Sequence, residues 1–343
     1  MPKTWKAAVI GCGSIAQAMH IPGYVKCSGV SLVAACDPVR QRREEAKRLV
    51  KDLRLYDDYR KMLKTEELDV VSVCSPNCFH AAHACAALEA GAHVLLEKPA
   101  ALSMKEIALI RRAVAKSGRR LIVGFSHRFA RGNQKIQKML KAGVIGEPYM
   151  FRARVAHRGP YPGWAKSDWF YDPKLAGGGA MLDMGVHMID QALWHLGPVR
   201  RVQAIACTLR KPIKVDDNAV LLLEFARSRA VGYIEVGWTS PAGFVGLEIL
   251  GDKGWILNDY ARGLMVTTGQ VTPDQKARMK LKTRVVDKDP GHGSWKVEIA
   301  EVVKAFRRNT DLGCGIEAGG AAVAVALAAY ESSRTGRRVE VRY

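Results

Sequence analysis

Short apolar segments alternate with helix-like segments over the first third of the chain. The apolar segments are predicted to be β-strands, at Lys6–Ile10, Val30–Cys36, Asp69–Cys74, His93–Leu96 and Leu121–Phe125. Between them the pattern predicts helices at Gln41–Val50, His80–Ala90 and Met104–Ser117. Short strands that alternate with helices of about ten residues indicate a parallel, doubly wound sheet of the α/β class.

The pattern changes after about Phe125, where strand-like segments become more frequent than helices. The predicted strands are Tyr149–His157, Val199–Thr208, Ala219–Phe225, Val231–Trp238, Leu247–Leu250 and Trp255–Leu257. The predicted helices are Asn133–Ala142, Gly179–Leu196, Trp295–Arg308 and Gly319–Thr335. This order indicates an α+β arrangement, an open and mostly antiparallel sheet with flanking helices. We therefore expect a first domain over 1–125 and a second over 126–343, whose last helix packs back on the first domain.

A glycine-rich turn follows the first predicted strand, with the spacing G-x-G-x-x-A. Gly11 permits a tight turn, Gly13 lets the backbone approach a pyrophosphate, and the small Ala16 lets the next helix pack close to the strand. Ser14 and Ile15 lie where the first helical N–H groups face the phosphates. The turn therefore predicts a dinucleotide-binding site.

The second predicted strand ends at Asp37, about twenty residues past the turn, where a carboxylate that binds ribose is expected. Asp37 would accept hydrogen bonds from a ribose 2′-hydroxyl and repel a 2′-phosphate. Arg40, Arg42 and Arg43 lie close by in sequence and could hold that phosphate instead. The sequence favours NAD, and NADP stays open as the alternative.

The composition limits the classes of partner. The chain has 343 residues, 48% of them hydrophobic, and a formal net charge of +20. Its basic residues are spread along the whole chain and form no recognition module, so we expect attraction of anionic ligands rather than of nucleic acid. No apolar run approaches the roughly twenty residues that a membrane span needs, and the first residues do not read as a signal peptide.

The eight cysteines contain no C-x-x-C pair. The Cys74/Cys78 spacing has no second pair to complete a zinc site, so no metal is expected. Small buried thiols are typical of a reducing compartment, and we expect a cytoplasmic protein.

Three further motifs contain residues that could bind a ligand or take part in catalysis. Ser75-Pro76-Asn77, with His80 after it, follows the third predicted strand, and Glu97-Lys98-Pro99 follows the fourth. The carboxyl ends of parallel strands form the ligand-binding edge of such a sheet, so these segments belong near the glycine turn. The last motif runs Gly177-Gly-Gly-Ala-Met-Leu-Asp183-Met-Gly185-Val-His187-Met-Ile-Asp190.

The last motif brings a carboxylate and an imidazole together. Asp183 and His187 are four residues apart, so on a helix they share one face. A carboxylate one turn from an imidazole can orient it and stabilise its protonated form. The glycines before the pair allow a flexible entry and close backbone approach. Lys98, at the end of a strand, has an ammonium that can stabilise a developing alkoxide.

In this order and spacing the motifs resemble those of the Gfo/Idh/MocA family, the glucose-fructose oxidoreductase and inositol dehydrogenase type of NAD(P)-dependent oxidoreductase. The resemblance covers essentially the whole chain. It implies an N-terminal Rossmann domain, NAD as cofactor, and a sugar, sugar derivative or cyclitol as substrate. It also implies a homodimer or homotetramer that assembles through the C-terminal sheet.

The resemblance implies roles for single residues. His187 is expected to remove the proton from a secondary hydroxyl, Lys98 to hydrogen-bond the same oxygen, and Asp183 to hold the substrate and tune the pair. Contacts with the cofactor are also expected from Ser75, Pro76, Asn77, His80, Glu97 and Lys98. Further contacts with the substrate are expected from Arg128, Arg158 and Trp164. His80 also suits a structural role, as do His20, His83, His127, His157, His195 and His292.

Two other functions fit the same fold. One is a glycoside hydrolase that oxidises its substrate transiently, eliminates, and reduces again with bound NAD. The other is a non-catalytic regulator that binds dinucleotide or sugar as a signal. Lys98, Asp183 and His187 are all present, which argues against the regulator because a sensor needs no acid–base group.

Overall fold

In the computed structural model, the described residues are 3–269, 281–291 and 294–343. The chain forms two compact units. The first contains Met1–Phe125, Pro160–Gly177 and Trp295–Val323, and the second contains Ser126–Gly159, Gly178–Ser294 and Ala324–Tyr343. Residues 160–177 and 295–323, which the sequence analysis assigned to the second domain, thus make most of their contacts in the first unit.

The strands of the described residues, numbered along the chain, are β1 Trp5–Ile10, β2 Val30–Cys36, β3 Arg54–Tyr56, β4 Val70–Val73, β5 His93–Leu96, β6 Leu121–Val123, β7 Pro148–Ala156, β8 Val199–Cys207, β9 Asn218–Phe225, β10 Val231–Gly237, β11 Phe244–Gly251, β12 Gly254–Asp259, β13 Gly263–Thr268, β14 Lys282–Asp287 and β15 Val339–Glu340.

The α-helices are α1 Ile21–Lys26, α2 Arg40–Leu49, α3 Tyr59–Thr65, α4 His80–Glu89, α5 Met104–Ser117, α6 Arg131–Lys141, α7 Pro173–Ala176, α8 Val186–Leu196, α9 Ser294–Arg308 and α10 Ile316–Thr335. Two π-helical segments, Ala16–His20 and Met181–Gly185, lead directly into α1 and α8. Helix α10 is divided between the units, because the first ends at Val323 and the second resumes at Ala324.

The first unit contains a six-stranded parallel sheet in the order β3-β2-β1-β4-β5-β6. The predicted doubly wound fold is confirmed, and the strand order is that of a Rossmann fold. Strand β3 was not predicted, because the three residues Arg54–Tyr56 are too few to show a pattern. The order of the strands reverses between β1 and β4, and ligands bind at such a switch point.

The core of the first unit follows from its parallel sheet. Parallel strands are covered by helices on both faces, so they are apolar throughout rather than alternating. Ala8 and Val9 of β1 and Val71 of β4 are fully buried. Helix α10 begins on this core, where an added Cβ at Gly319 would lie 2.8 Å from the Val123 side chain.

The second unit contains a nine-stranded sheet in the order β14-β13-β12-β11-β7-β10-β9-β8-β15, within the part of the chain that the structure describes. Its pairs are antiparallel except for β7 with β10. The predicted open, mostly antiparallel sheet is confirmed. The edge strands β14 and β15, and β13 next to β14, were not predicted.

One face of this sheet is buried and the other is exposed. Along β9 the buried Leu221 and Leu223 alternate with the exposed Val220 and Leu222. The segment from Met181 through α8 packs against β7 and β10. The sheet therefore supports the helix that carries His187.

None of the helices among the described residues combines the length and the apolarity needed to cross a membrane.

Candidate functional site

The turn after β1 lies at the switch point of the sheet in the first unit. Gly11 has φ of 91°, and a Cβ there would lie 2.6 Å from the Cys74 carbonyl carbon and the Ser75 nitrogen. Its N–H donates to the Cys36 carbonyl oxygen at 2.7 Å. Only glycine fits between the ends of three neighbouring strands, which explains the first glycine of the motif.

Gly13 faces open space, since no described atom lies within 4 Å of the position that a Cβ would take. A pocket opens here, within the first unit, over the turn and the end of β2. The predicted cofactor residues that line it are Gly11, Gly13, Ser14, Ile15, Asp37, Arg42 and Pro76. Room at Gly13 and main-chain N–H groups at the turn fit the pyrophosphate of a dinucleotide.

Asp37 is buried at the rim of this pocket. One carboxylate oxygen accepts the N–H of Cys12 and the other the N–H of Val39, each at 2.9 Å. Each oxygen has a second lone pair for a ribose hydroxyl. Arg42 Nη1 lies 4.0 Å from the carboxylate, and its Nη2 donates to Ser167 Oγ at 3.3 Å. The rim of the pocket therefore holds both the acid that favours NAD and a cation that would suit NADP.

A loop distant in sequence forms the other wall of the pocket. Trp164, Trp169 and Phe170 of this loop line the pocket. The rings of Trp169 and Phe170 stack at 3.9 Å, and Trp164 meets Phe170 edge-on at 5.2 Å. Trp164, predicted from sequence as a substrate contact, thus lies in the first unit opposite the glycine turn.

Lys166 fastens this loop to the glycine turn. Its main-chain N–H donates to Ser14 Oγ at 2.8 Å. Its ammonium donates to Gln17 Oε1 at 2.6 Å and to Glu45 Oε2 at 2.7 Å. The hydrogen bond from Lys166 is the main cause that lowers the pKa of Glu45 to about 2.

Hydrogen bonds within the first unit hold the segment after β4. Asn77 is buried, and its amide donates to the Ala176 carbonyl oxygen at 2.8 Å. His80 lies between two carbonyl oxygens, with Nε2 at 2.8 Å from Ser75 O and Nδ1 at 2.7 Å from Pro99 O. A neutral imidazole donates from only one nitrogen. Only a ring protonated at both nitrogens donates to both carbonyl oxygens, whereas burial, partly opposed by these two contacts, lowers the pKa of His80.

Glu97 belongs to a buried hydrogen-bonded chain. Its Oε1 lies 2.9 Å from His20 Nε2, and His20 Nδ1 lies 2.9 Å from Ser72 Oγ. Its Oε2 accepts the N–H of Lys98 at 3.2 Å. Burial raises the pKa of Glu97, but the hydrogen bond and charge of His20 and the charge of Lys98 outweigh it, and the pKa lies below its usual value. The Lys98–Pro99 peptide bond is cis.

Of the predicted cofactor residues, those that do not line the pocket are Ala16, Ser75, Asn77, His80, Glu97 and Lys98. Ala16 is fully buried, as expected for a residue that packs the helix on β1. The chain therefore brings together in one pocket most of the residues predicted from the glycine turn and the end of β2, while Asn77 and His80 make hydrogen-bond contacts with main-chain carbonyl oxygens of the first unit.

A second group of predicted functional residues belongs to the second unit, in the segment that leads to His187. Asp216 accepts the N–H of Gly179 on one carboxylate oxygen and that of Met181 on the other, each at 2.8 Å. Tyr330 donates its hydroxyl to the same carboxylate at 2.7 Å. A Cβ at Gly179 would lie 1.8 Å from the Asp216 carbonyl oxygen. Glycine is needed at position 179 because a side chain has no room there. The glycine segment before Asp183, expected from sequence to be flexible, is instead tightly packed.

Asp183 is buried in the π-helical segment Met181–Gly185, and His187 lies in the first turn of α8. π-Helical segments occur often at functional sites. The ring of His187 packs against that of His127, with the centroids 4.7 Å apart and the planes at 54°. The second unit thus places a buried carboxylate and two imidazoles in one region.

Arg128 and Arg158, predicted from sequence as substrate contacts, are both engaged within the second unit. Arg128 is buried and holds Asp190 with Nε and Nη2, the closest pair at 2.6 Å. This geometry is that of a buried ion pair, which costs desolvation and depends on such bidentate contacts. Arg158 Nε donates to the Pro241 carbonyl oxygen at 3.0 Å.

Several residues of the site carried no signal in the sequence. Asp216 and Tyr330 anchor the glycine segment, and Phe170 lines the pocket, but each lies far along the chain from the glycines that it adjoins. Of the histidines expected to be structural, His20 and His127 join the groups described above, whereas His292 lies outside the described residues.

The chain matches two family models in succession. Residues 5–125 match an oxidoreductase family described as having an NAD-binding Rossmann fold. Residues 133–257 match the GFO/IDH/MocA C-terminal domain.

Two relatives show how far the likeness extends. The chain is 30% identical to inositol 2-dehydrogenase of Paracoccus denitrificans over 317 residues, 90% of this chain and 88% of that protein. It is 38% identical to D-glucoside 3-dehydrogenase of Escherichia coli K12 over 192 residues. That match covers 56% of this chain and only 54% of the length of that relative.

Solved structures agree on the fold. GenD2 from gentamicin A biosynthesis, in complex with NAD, superposes with a TM-score of 0.86 at 25% identity, over 100% of this chain and 98% of that one. Levoglucosan dehydrogenase in complex with NADH and levoglucosan gives 0.85 at 23% identity, over 99% of this chain and 100% of that one. At that identity the second likeness shows the fold alone.

The crowding at Gly179 predicts a difference between two glycines of one segment. Gly179→Ala is expected to lower the free energy of unfolding by about 1–3 kcal/mol, since the new methyl group has no room beside Asp216. Gly185→Ala, whose Cβ would lie 3.4 Å from Val236, is expected to keep stability or raise it by up to about 1 kcal/mol. Urea unfolding of the two variants measures both. Equal effects would contradict the close packing.

Proposed function

Because the chain belongs to the GFO/IDH/MocA family of NAD-binding oxidoreductases, we propose that it is a dehydrogenase or reductase of a sugar, sugar derivative or cyclitol. It transfers a hydride between NAD(H) and a secondary hydroxyl or ketone of that substrate. The observation that carries the proposal is the pocket over the glycine turn, with Asp37 at its rim and Lys98 and His187 both present in the chain. Nothing observed favours the glycoside hydrolase or the regulator.

In the proposed site the first unit binds the dinucleotide. Main-chain N–H groups of the turn from Gly13 onward would hold the pyrophosphate, since the N–H of Cys12 is taken by Asp37, and Asp37 would accept from the ribose hydroxyls. Trp164 and Phe170 cover the pocket with aromatic surface and exclude water. When bound, NAD supplies the carbon that accepts the hydride.

The remaining residues handle the proton and the substrate oxygen. His187 Nε2 takes the hydroxyl proton as general base and returns it in the reverse direction. The ammonium of Lys98 hydrogen-bonds the same oxygen and stabilises the alkoxide as it forms. Asp183, buried one turn before His187, holds the substrate and stabilises the imidazolium once it has formed.

Relatives support the substrate class without fixing the substrate. Inositol 2-dehydrogenase and D-glucoside 3-dehydrogenase are named for a cyclitol and a glycoside, both of which carry secondary hydroxyls. The proposed substrate therefore contains a ring that carries secondary hydroxyls.

We further propose a cytoplasmic location, supported by eight cysteines that are all free thiols. A disulfide in the isolated protein would contradict this location.

The activity is tested by incubating the protein with NAD and a panel of sugars, sugar derivatives and inositols, and following the near-ultraviolet absorbance of NADH. At least one compound is expected to be oxidised. His187→Asn is expected to lower kcat by about 10²–10⁴-fold, because general base catalysis is lost. The Kd for NADH is expected to stay unchanged, because the residues that line the pocket belong to the first unit.

His93→Asn is the matched control for this experiment. His93 Nδ1 accepts the N–H of Arg120 in the first unit at 3.0 Å, and the asparagine oxygen can take the same hydrogen bond. The control is expected to keep the wild-type kcat. If His187→Asn turned over as fast as the wild type, His187 would not be the base, and failure to bind any dinucleotide would end the proposal.

The choice of cofactor depends on charge at the rim of the pocket. We propose NAD, because the buried Asp37 carboxylate would face a 2′-phosphate. The wild type is expected to bind NADH at least tenfold more tightly than NADPH, a difference of about 1.4 kcal/mol. Asp37→Asn is expected to reduce the ratio of the Kd for NADPH to the Kd for NADH. Asp57→Asn, which changes an exposed carboxylate, is expected to leave this ratio unchanged. Dissociation constants from fluorescence titration measure it. Tighter binding of NADPH by the wild type would contradict the proposal.

The exposed face of the second unit supports a homodimer or homotetramer. On this face Ile205 is opposite Val220, and Leu222 is opposite Tyr233, so the four side chains form one apolar patch. Ion pairs lie beside it, among them Arg154 with Glu235 at 2.9 Å. A patch of this kind can meet its own copy across a two-fold axis.

Light scattering is expected to give the mass of a dimer or tetramer. Leu222→Glu places a charge in the centre of the patch and is expected to shift the mass toward the monomer. Val25→Glu changes an equally exposed apolar residue, 57% exposed against 54% for Leu222, on α1 of the first unit and is expected to have no such effect. A monomeric wild type at all concentrations would contradict the assembly.

A further inference from the structure

His127 has a defined partner on each side of its ring. It lies in the short helical turn Ser126–Phe129, after the end of β6. Its imidazole packs against the ring of His187, with 4.7 Å between the centroids and the planes at 54°. Its Nδ1 lies 2.9 Å from the Tyr260 hydroxyl. His127 therefore connects the proposed base to Tyr260.

Two asparagines continue this connection into the core of the second unit. Asn133 Nδ2 donates to the Tyr260 hydroxyl oxygen at 2.9 Å and to the His127 carbonyl oxygen at 2.8 Å. Asn258 Nδ2 donates to Asn133 Oδ1 at 2.6 Å. Both asparagines are almost completely buried. A fixed frame thus surrounds Tyr260.

The direction of each hydrogen bond follows from the groups that meet. A carbonyl oxygen can only accept, so the His127 carbonyl orients the amide of Asn133 with its NH₂ toward Tyr260. The Tyr260 oxygen then accepts from Asn133, and its own proton needs an acceptor. Within the described residues the acceptor in reach is His127 Nδ1. A ring that accepts at Nδ1 carries its proton on Nε2.

Tyr260 itself stays a neutral phenol. Burial raises its pKa further above the usual value, and the hydrogen bond with Asn133 only partly opposes this shift. Its role as a donor to His127 therefore does not depend on ionisation.

We propose that Tyr260 is a positioning residue for the proposed dehydrogenase reaction. It holds His127 as the neutral Nε2–H tautomer against the ring of His187, so that of the two neighbouring imidazoles only His187 takes the substrate proton. The inference rests on the proposed role of His187 as the base. A neutral neighbour also leaves room for the positive charge that His187 acquires, since a second imidazolium at this distance would repel it.

The position of His187 is sensitive to this arrangement. A shift of about 1 Å in a catalytic group can cost on the order of a hundredfold in rate. If the His127 ring could rotate or change tautomer, the ring of His187 would lose the fixed neighbour against which it packs. The two functions of the network, orientation and choice of tautomer, can be separated by two substitutions.

Tyr260→Phe keeps the ring of His127 and removes its donor. The experiment uses the full chain with ¹⁵N-labelled histidine. In the wild type the His127 spectrum is expected to show a protonated Nε2 and a bare Nδ1. In Tyr260→Phe this pattern is expected to give way to a mixture of tautomers, and kcat to fall by about 10–100-fold at unchanged Kd for NADH.

His127→Asn keeps the acceptor and removes the ring. The asparagine oxygen occupies the place of Nδ1 and can accept from Tyr260, so the variant is expected to fold as the wild type does. The loss of the ring beside His187 is expected to lower kcat by about the same factor. Tyr149→Phe, at the exposed start of β7, is the matched control and is expected to change neither spectrum nor rate.

The outcomes separate this inference from the proposed function. A Tyr260→Phe spectrum identical to that of the wild type would overturn the tautomer assignment, even if no substrate were known. An active wild type with unchanged kcat in both variants would overturn the positioning role and leave the dehydrogenase function standing. A wild type without dehydrogenase activity on the panel would remove the proposed function, and with it the role assigned to Tyr260.

Discussion

At two glycines the main chain lies in contact with the main chain of another segment. The positions of the glycine turn and of the segment that carries Asp183 and His187 depend on these two contacts. In the first unit Gly11 lies so near the end of β4 that a Cβ would overlap Cys74. In the second, Gly179 lies against the main chain of Asp216 in the same way. Each contact fixes the beginning of a π-helical and then α-helical segment. One segment presents N–H groups to the pocket, and the other carries Asp183 and His187.

Buried carboxylates hold the turns in a chain that is otherwise strongly basic. Asp37 and Asp216 each accept two main-chain N–H groups from segments that they organise. Asp217 accepts three in a row, from residues 209, 210 and 211. Burial raises the pKa of Asp217, but these N–H groups outweigh it and the pKa falls below its usual value. Hydrogen bonds from backbone N–H groups to a carboxylate are charge-assisted, strong and directional, so a few acidic residues determine the loop geometry. The excess of lysine and arginine remains largely at the surface.

Local sequence patterns predicted the features that depend on residues close together in the chain. The strand, turn and helix around Gly11, the carboxylate at Asp37, and the spacing of Asp183 and His187 are all encoded within a few residues or one strand-helix unit. The structure also confirms both sheets. Short or edge elements such as β3 and β15 were missed because two or three residues contain no period to detect. Partners brought together by folding, such as Lys166 with Ser14 or Tyr260 with His127, leave no trace in sequence spacing.

The loop that carries Trp164 and Phe170 belongs to the same compact unit as the glycine turn, although more than a hundred residues separate them. The pocket over the glycine turn is thus encoded by at least two distant stretches of the gene. A chimera made with a single crossover near residue 125 would join the glycine turn of one parent to the aromatic wall of another. Recombination among relatives can therefore exchange the second unit without mixing the two walls of the pocket only if the segment 160–177 is transferred with the first 125 residues.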